Sequence, residues 1–170
     1  DVAGDHTVVI EDKNGCAGTA KGLLVIDKLP VVKVDSFEIC TGAGSVTFTA
    51  TVDTSTSKYT WNGGAEGSDP TFEGSTDGKY TVVIEDKNGC AGEGIGLLTI
   101  HETPTLTVDS FIVCEGAAAS EFTVTTTSTV EAYLWSDNGS GNAATVTSDV
   151  AGDYTVEIED DNGCKATAKG

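Results

Sequence analysis

The sequence contains no methionine, arginine or glutamine, only three prolines, and aromatic residues at just 6% of its 170 positions. All nine basic residues are therefore lysines, and they face 27 acidic residues, for a formal charge of −18. Binding of a nucleic-acid backbone needs clustered lysine and arginine, so this composition excludes nucleic acid as a partner. No apolar run approaches the length of a membrane span, so none is expected in this segment.

Strand-forming and turn-forming residues dominate what is present. Threonine and valine favour extended strands, and the 21 glycines, with asparagine and aspartate, favour the turns between them. No stretch shows sustained helical periodicity. The composition predicts an all-β fold.

The sequence repeats itself without gaps at a period of 74 residues. Residues 7–18 recur identically at 81–92 and return, with few changes, at 155–164. Cys16, Cys90 and Cys164 are 74 residues apart, and so are Cys40 and Cys114. A constant register of this kind predicts tandem copies of one structural unit.

The repeat sets the expected domain boundaries. Residues 1–28 are expected to be the closing strands of an incomplete preceding repeat, followed by complete repeats at 29–102 and 103–170. Leu29-Pro30 and Thr103-Pro104 mark the junctions, because proline cannot continue a central strand. The sequence is thus expected to be an internal segment whose repeats stack end to end through short linkers.

Each complete repeat reads as several short strands separated by turns, the pattern of a Greek-key β-sandwich. In Tyr80–Glu85 the alternate residues Tyr80, Val82 and Ile84 share one face, and Val83 on the other face becomes Glu157 in the next copy. A site that accepts valine and glutamate is expected to face water. The aromatic residues expected in the two cores are Phe48, Tyr59, Trp61, Tyr80, Phe122, Tyr133, Trp135 and Tyr154.

These motifs resemble a known group of proteins. Tyr-Thr-Val-x-Ile-Glu-Asp-x-Asn-Gly-Cys at 80–90 and 154–164, with Tyr-x-Trp at 59–61 and 133–135, is similar to the immunoglobulin-like and PKD-like repeats of Bacteroidota surface proteins, including SprB-type gliding adhesins. The resemblance implies tandem immunoglobulin-like Greek-key β-sandwiches, type IX secretion and roles in adhesion or gliding motility. His6 departs from it, because it stands where the other copies have tyrosine.

Five cysteines without a Cys-x-x-Cys motif favour disulfides over a metal site. One pairing consistent with the repeat is Cys40–Cys90 and Cys114–Cys164, with Cys16 bonded to an upstream partner. The other is Cys16–Cys40 and Cys90–Cys114, which leaves Cys164. The first is preferred because it makes the cysteine of the incomplete repeat the unpaired one, although it needs Cys40 beside the start of the last strand. Either pairing implies an oxidising, extracellular environment.

The acidic turns are the candidate metal ligands. Glu85, Asp86 and Asn88, and their counterparts Glu159, Asp160 and Asn162, offer the oxygen atoms that calcium binds. The same Asp-x-Asn-Gly pattern is typical of a tight hairpin, and this interpretation is preferred. No other cofactor is expected. His6 and His101 have no equivalents in the other copies and join no polar cluster, so no catalytic site or enzyme is expected.

The function expected from these features is structural: a repeat segment of a long secreted filament or adhesin, outside the cell or on the surface of a bacterium. Its expected partners are neighbouring repeats of the same or identical chains, with surface glycans as candidate ligands. The alternative is a carbohydrate-binding or other ligand-binding β-sandwich module of a secreted protein. That alternative requires an exposed aromatic platform, and glycan-array binding discriminates the two hypotheses.

Overall fold

The computed structural model describes residues 2–64, 66–136 and 142–170, and every regular element in those ranges is a β-strand. The strands are β1 (Gly4–Glu11), β2 (Ala17–Leu24), β3 (Val32–Val34), β4 (Phe37–Cys40), β5 (Val46–Val52), β6 (Thr56–Trp61), β7 (Thr71–Gly74), β8 (Gly78–Asp86), β9 (Ala91–His101), β10 (Leu106–Val108), β11 (Ser120–Thr126), β12 (Val130–Trp135), β13 (Thr145–Ser148), β14 (Thr155–Asp160) and β15 (Lys165–Lys169). The prediction of an all-β fold is confirmed.

Strands β3 to β9 form two sheets with immunoglobulin-like topology. One sheet has the order β3-β5-β7 and the other the order β4-β9-β8-β6. The opening segment is divided between them: β3 pairs antiparallel with β5, whereas β4 pairs parallel with the end of β9. The opening segment therefore changes sheets at Asp35-Ser36. From β3 to β8, consecutive strands alternate between the two sheets, and β8 and β9 are neighbours in one sheet, which is the Greek-key pattern of this sandwich.

Strands β10 to β15 repeat this arrangement. Their sheets have the orders β10-β11-β13 and β12-β14-β15. Residues 111–114, the counterparts of β4, are not in a strand. The chain is thus built from tandem immunoglobulin-like Greek-key β-sandwiches, as the sequence predicts.

Alternation of side chains along the strands creates the cores. In β8 the inward-facing Val82 and Ile84 are fully buried, while the intervening Val83 is exposed. Phe48 of β5 stacks on Tyr80 of β8 with ring centroids 4.3 Å apart, and so joins the two sheets. Residues Phe122, Val124, Trp135, Val146, Tyr154, Val156 and Ile158 form the corresponding core of the second sandwich.

The first two strands form an isolated hairpin. β1 pairs antiparallel with β2, but both faces of the hairpin lie open to solvent. Val8 and Ile10 are 56% and 68% exposed, although their counterparts Val82 and Ile84 are fully buried. β1 and β2 therefore pair with each other, and no strand among the described residues covers either face of the hairpin.

By compactness the chain divides into two units. One comprises residues 1–35, 48–72 and 80–96, and the other comprises residues 36–47, 73–79 and 97–170. This division cuts through β5, β7, β8 and β9, and so differs from the predicted repeat boundaries at 28/29 and 102/103. Those boundaries remain predictions from the sequence period.

Among the described residues, no helix has the length and apolar character needed to cross a membrane.

Candidate functional site

The turn before the last strand of the second sandwich presents Cys164. The carboxylate of Asp160 accepts hydrogen bonds at Oδ1 from the backbone N–H groups of Asn162 (3.0 Å) and Cys164 (2.8 Å). Gly163 has φ of 77°, which a side chain at this position would disfavour. Aspartate and glycine together therefore fix the backbone that aims the cysteine.

The same turn occurs in all three copies of this sequence. Asp86 accepts from Asn88 and Cys90 at 2.8 and 2.9 Å, and Asp12 accepts from Asn14 and Cys16 at the same two distances. The hydrogen bonds from the backbone N–H groups of Cys16 and Asn14 lower the pKa of the Asp12 carboxyl. The repeated Asp-x-Asn-Gly-Cys motif thus fixes the backbone at the cysteine in the same conformation in each copy.

Cys40 forms a disulfide with Cys164 across 124 residues of sequence, with their Cα atoms 5.6 Å apart. Both cysteines belong to the same compact unit. Cys40 ends β4 and lies opposite His101, the last residue of β9. The disulfide therefore links the end of the β4–β9 strand pair in one sequence repeat to the cysteine turn of the next, and we call it the inter-repeat disulfide.

Both pairings considered from the sequence differ from this arrangement. Cys90, Cys114 and Cys16 are free thiols, so neither Cys40–Cys90 and Cys114–Cys164 nor Cys16–Cys40 and Cys90–Cys114 forms. For Cys40–Cys90 the physical reason lies in β9: Cys90 precedes its first residue, whereas Cys40 pairs with its last, and eleven residues of strand span about 35 Å. A disulfide cannot cross that distance.

The strand pairing in the structure explains the observed pair. An opening strand that runs parallel to the last strand must place its terminal cysteine beside the end of the repeat. The turn of the following repeat lies near its own start: Asp27, Pro30 and Asn88 line one surface depression in the first sandwich. The position equivalent to Asp27 in the next copy is His101, which lies opposite Cys40.

Cys90 occupies the equivalent turn position without a disulfide. Its side chain is half-buried, and this desolvation raises the pKa of the thiol, with smaller contributions from the Asp86 and Asp27 carboxylates. A raised pKa keeps the group in the less reactive thiol form near neutral pH. Cys16 and Cys114 are exposed.

The carboxylates predicted as calcium ligands form hydrogen bonds within the turns or lie near lysines on the exposed strand faces. The Asp86 and Asp160 carboxylates accept the backbone hydrogen bonds of their hairpins. Glu85 lies 3.8 Å from the Lys58 ammonium and Glu159 lies 3.5 Å from that of Lys165. Within the described residues, no three acidic, histidine or cysteine side chains gather closely enough to hold a metal. Calcium binding at these turns stays an untested prediction.

The predicted core aromatics lie where the sheets face each other. The buried ones are Phe48, Trp61, Tyr80, Phe122, Trp135 and Tyr154, whereas Tyr59 and Tyr133 are half-buried. The Tyr59 hydroxyl lies within hydrogen-bonding distance of the Thr56 hydroxyl, at 2.7 Å. His6, at the corresponding tyrosine position of the isolated hairpin, is exposed and bonds through Nε2 to the Val2 carbonyl at 3.2 Å.

The turn carboxylate gives a testable stability effect. Asp160→Ala removes a buried acceptor from two backbone N–H groups, so the second sandwich is expected to lose about 1–3 kcal/mol of unfolding free energy. Asp160→Asn keeps one side-chain oxygen and is the matched control. Denaturant unfolding followed by Trp135 fluorescence measures both variants. Equal losses in alanine and asparagine variants would show that the turn bonds do not stabilise the sandwich.

No family model and no curated protein matches the chain. Among solved structures, Drosophila OTK extracellular domains 3–5 matches 98% of this chain and 70% of its own, at 12% identity and a TM-score of 0.48. A 1.5-MDa bacterial ice-binding adhesin matches 98% of this chain and 71% of its own, at 18% identity and a TM-score of 0.40. The N-terminal four immunoglobulin domains of Dscam1 isoform 6.9 match at 16% identity and a TM-score of 0.36. This chain covers 50% of that Dscam1 structure, which itself matches 92% of this chain. Likenesses this remote decide nothing about function.

Proposed function

We propose that this chain is a structural repeat segment of a long extracellular filament or adhesin, in which immunoglobulin-like sandwiches stack end to end as a stalk. The observation that supports this most directly is the inter-repeat disulfide, Cys40–Cys164. A covalent bond between consecutive repeats limits their relative motion, which suits an element that transmits force or holds a distance. Such a role needs no catalytic group.

The location belongs to the same proposal. A disulfide persists in oxidising environments outside the cytoplasm. With a formal charge of −18, neighbouring filaments repel one another and stay soluble. The Tyr-Thr-Val-x-Ile-Glu-Asp-x-Asn-Gly-Cys motif supports a bacterial, Bacteroidota-type surface protein exported by the type IX pathway, with a role in adhesion or gliding.

A ligand-binding module receives less support from the geometry. Trp61 and Trp135, the residues best suited to stack on a sugar ring, are buried in the sandwich cores. The Trp135 indole Nε1 donates to the Ala143 carbonyl at 3.0 Å, so its polar edge is used internally. The structural role is therefore preferred, and a surface glycan remains a candidate partner for the glycan array.

Small-angle X-ray scattering on an extended array tests the stalk. Because residues 149–170 and 1–22 occupy equivalent repeat positions, the chain 1–170 followed by residues 23–170 preserves the period of 74. Each added repeat is expected to lengthen the particle by about 35 Å, from about ten residues of strand at ~3.4 Å each. The 170-residue chain is the control. A maximum dimension that hardly grows on extension, as for a compact globule, would contradict the proposal.

A further inference from the structure

The five cysteines fall into two classes by their place in the repeat. Cys40 and Cys114 end the segment equivalent to β4, and we call them the strand cysteines; Cys16, Cys90 and Cys164 follow the Asp-x-Asn-Gly turn, and we call them the turn cysteines. The one disulfide joins a strand cysteine to the turn cysteine 124 residues later, in the following repeat. By this rule Cys114 matches a turn cysteine in another repeat, and Cys90 matches a strand cysteine in another repeat.

Cys90 already has the turn conformation that Cys164 has in the inter-repeat disulfide. Its backbone N–H donates to Asp86 Oδ1 at 2.9 Å, as that of Cys164 donates to Asp160 Oδ1 at 2.8 Å. The preceding glycines, Gly89 and Gly163, have φ of 83° and 77°. The thiol at Cys90 is thus held by the same backbone geometry as the cysteine that bonds Cys40, yet it is free.

Within the part of the chain that the structure describes, Cys114 lacks the neighbouring strand that Cys40 has. Cys40 lies in β4, which pairs with Leu98–His101 of β9. Leu98 is fully buried there, and the Leu97 N–H donates to Ser36 Oγ at 3.0 Å. No described residue fills the corresponding role beside residues 111–114, which lie outside the strands, and Ile112 is fully exposed.

The sequence contains a second copy of the strand end that pairs with β4. Residues 23–27, Leu-Leu-Val-Ile-Asp, are the repeat equivalents of residues 97–101, Leu-Leu-Thr-Ile-His. Leu23 and Ile26 are 69% and 54% exposed in the isolated hairpin segment. Ser110 stands at the repeat position of Ser36, so the hydroxyl acceptor for an incoming strand is retained. In the first sandwich Asp77 also accepts a hydrogen bond from the Ile100 N–H. Ala151 stands at the position of Asp77, so this second acceptor is lost.

We propose that Cys114 and Cys90 are complementary halves of the same inter-repeat disulfide, so that in an array each strand cysteine bonds the turn cysteine of the following repeat. The proposal rests on the proposed tandem array and adds a covalent link at every junction. The complementary thiol comes from another repeat of this sequence, either in the same chain or in a second copy.

Bond formation requires a disulfide oxidant such as oxidised glutathione or an oxidised thiol–disulfide oxidoreductase. A thiolate attacks the oxidant to give a mixed disulfide and release one thiol. The second cysteine thiolate then displaces the other half as a thiol. Two protein thiols and one oxidant disulfide thus become one protein disulfide and two small thiols, which carry away the two electrons and two protons.

The test uses the in-register extended array, residues 1–170 followed by residues 23–170, refolded in a glutathione redox buffer. A glutamate-specific protease separates the cysteines into different peptides, because Cys90 falls in 86–93, Cys114 in 103–115 and Cys164 in 160–170. In the first segment the last of these peptides continues through residues 23–38 of the second segment. Mass spectrometry without reduction is expected to find 103–115 linked to 86–93, alongside 39–66 linked to 160–170.

Two matched variants assign the bond to its repeat. Cys90→Ser in the second segment is expected to leave the first-segment Cys114 open to alkylation, whereas Cys90→Ser in the first segment leaves the 103–115 to 86–93 link intact. The second-segment Cys114 has no following repeat and is expected to be alkylated in every case. Absence of the 103–115 to 86–93 link from the parent array would overturn the proposal. A rod-shaped array without the Cys114–Cys90 link would overturn only this inference, whereas a compact array would overturn the stalk.

The 170-residue chain under the same oxidation distinguishes the two sources of the thiol. Disulfide-linked dimers that Cys114→Ser abolishes show that a second copy supplies the complementary cysteine. A linked array together with monomeric 170-residue chain shows that the following repeat in the same chain supplies it.

Discussion

Ile84→Ala is expected to destabilise the first sandwich by about 2–5 kcal/mol, while the same substitution at Ile10 changes the free energy of unfolding by less than about 0.5 kcal/mol. The two isoleucines occupy equivalent positions in identical twelve-residue segments, 7–18 and 81–92. Ile84 is fully buried between the sheets, whereas Ile10 is 68% exposed on the isolated hairpin. Truncation therefore leaves a cavity only at Ile84.

Tryptophan fluorescence during denaturant unfolding measures this difference, because each sandwich contains one tryptophan. Trp61 reports on the first sandwich, and Trp135 reports on the second when Trp61 is replaced by phenylalanine. Ile158→Ala, at the third equivalent position, is expected to reproduce the loss in the second sandwich. Comparable losses from Ile10→Ala and Ile84→Ala would mean that the hairpin face is covered in solution.

Loss of the inter-repeat disulfide is expected to cost about 2–4 kcal/mol, since a crosslink that closes a loop of this length restricts the unfolded chain strongly. Cys164→Ala removes the bond, and Cys90→Ala removes a free thiol at the equivalent turn, which makes it the matched control. The difference between the two variants in denaturant unfolding gives the contribution of the disulfide.

Reduction of the unmodified chain provides an independent check on this cost. A reducing agent is expected to lower the stability of the parent chain and of Cys90→Ala equally, and to leave Cys164→Ala unchanged. If Cys90→Ala proves as damaging as Cys164→Ala, the two turn cysteines have equivalent bonds and the assigned connectivity is wrong.

The strand pattern was accessible from the sequence because it depends on local rules. Alternation in Tyr80–Glu85 predicts the buried face of β8, and the exchange of Val83 for Glu157 identifies its solvent side. The Asp-x-Asn-Gly turn fixes the hairpin between β8 and β9. A period of 74 residues then carries each of these assignments from one copy to the next.

The disulfide was not accessible because it depends on where distant segments end in space. Sequence spacing shows that Cys40 and Cys90 recur together, but the parallel pairing of β4 with the far end of β9 decides which cysteines meet. The exposure of β1 and β2 has a similar origin. Their sequence matches that of buried strands, and only the absence of facing residues among those described leaves Val8 and Ile10 in solvent.

Non-reducing peptide mapping of the 170-residue chain tests most directly whether consecutive repeats are covalently joined. After cleavage at glutamate, the account predicts a single crosslinked species in which peptide 39–66, carrying Cys40, is bonded to peptide 160–170, carrying Cys164. A link from 39–66 to 86–93, or from 103–115 to 160–170, would place the disulfides inside single repeats and contradict the account.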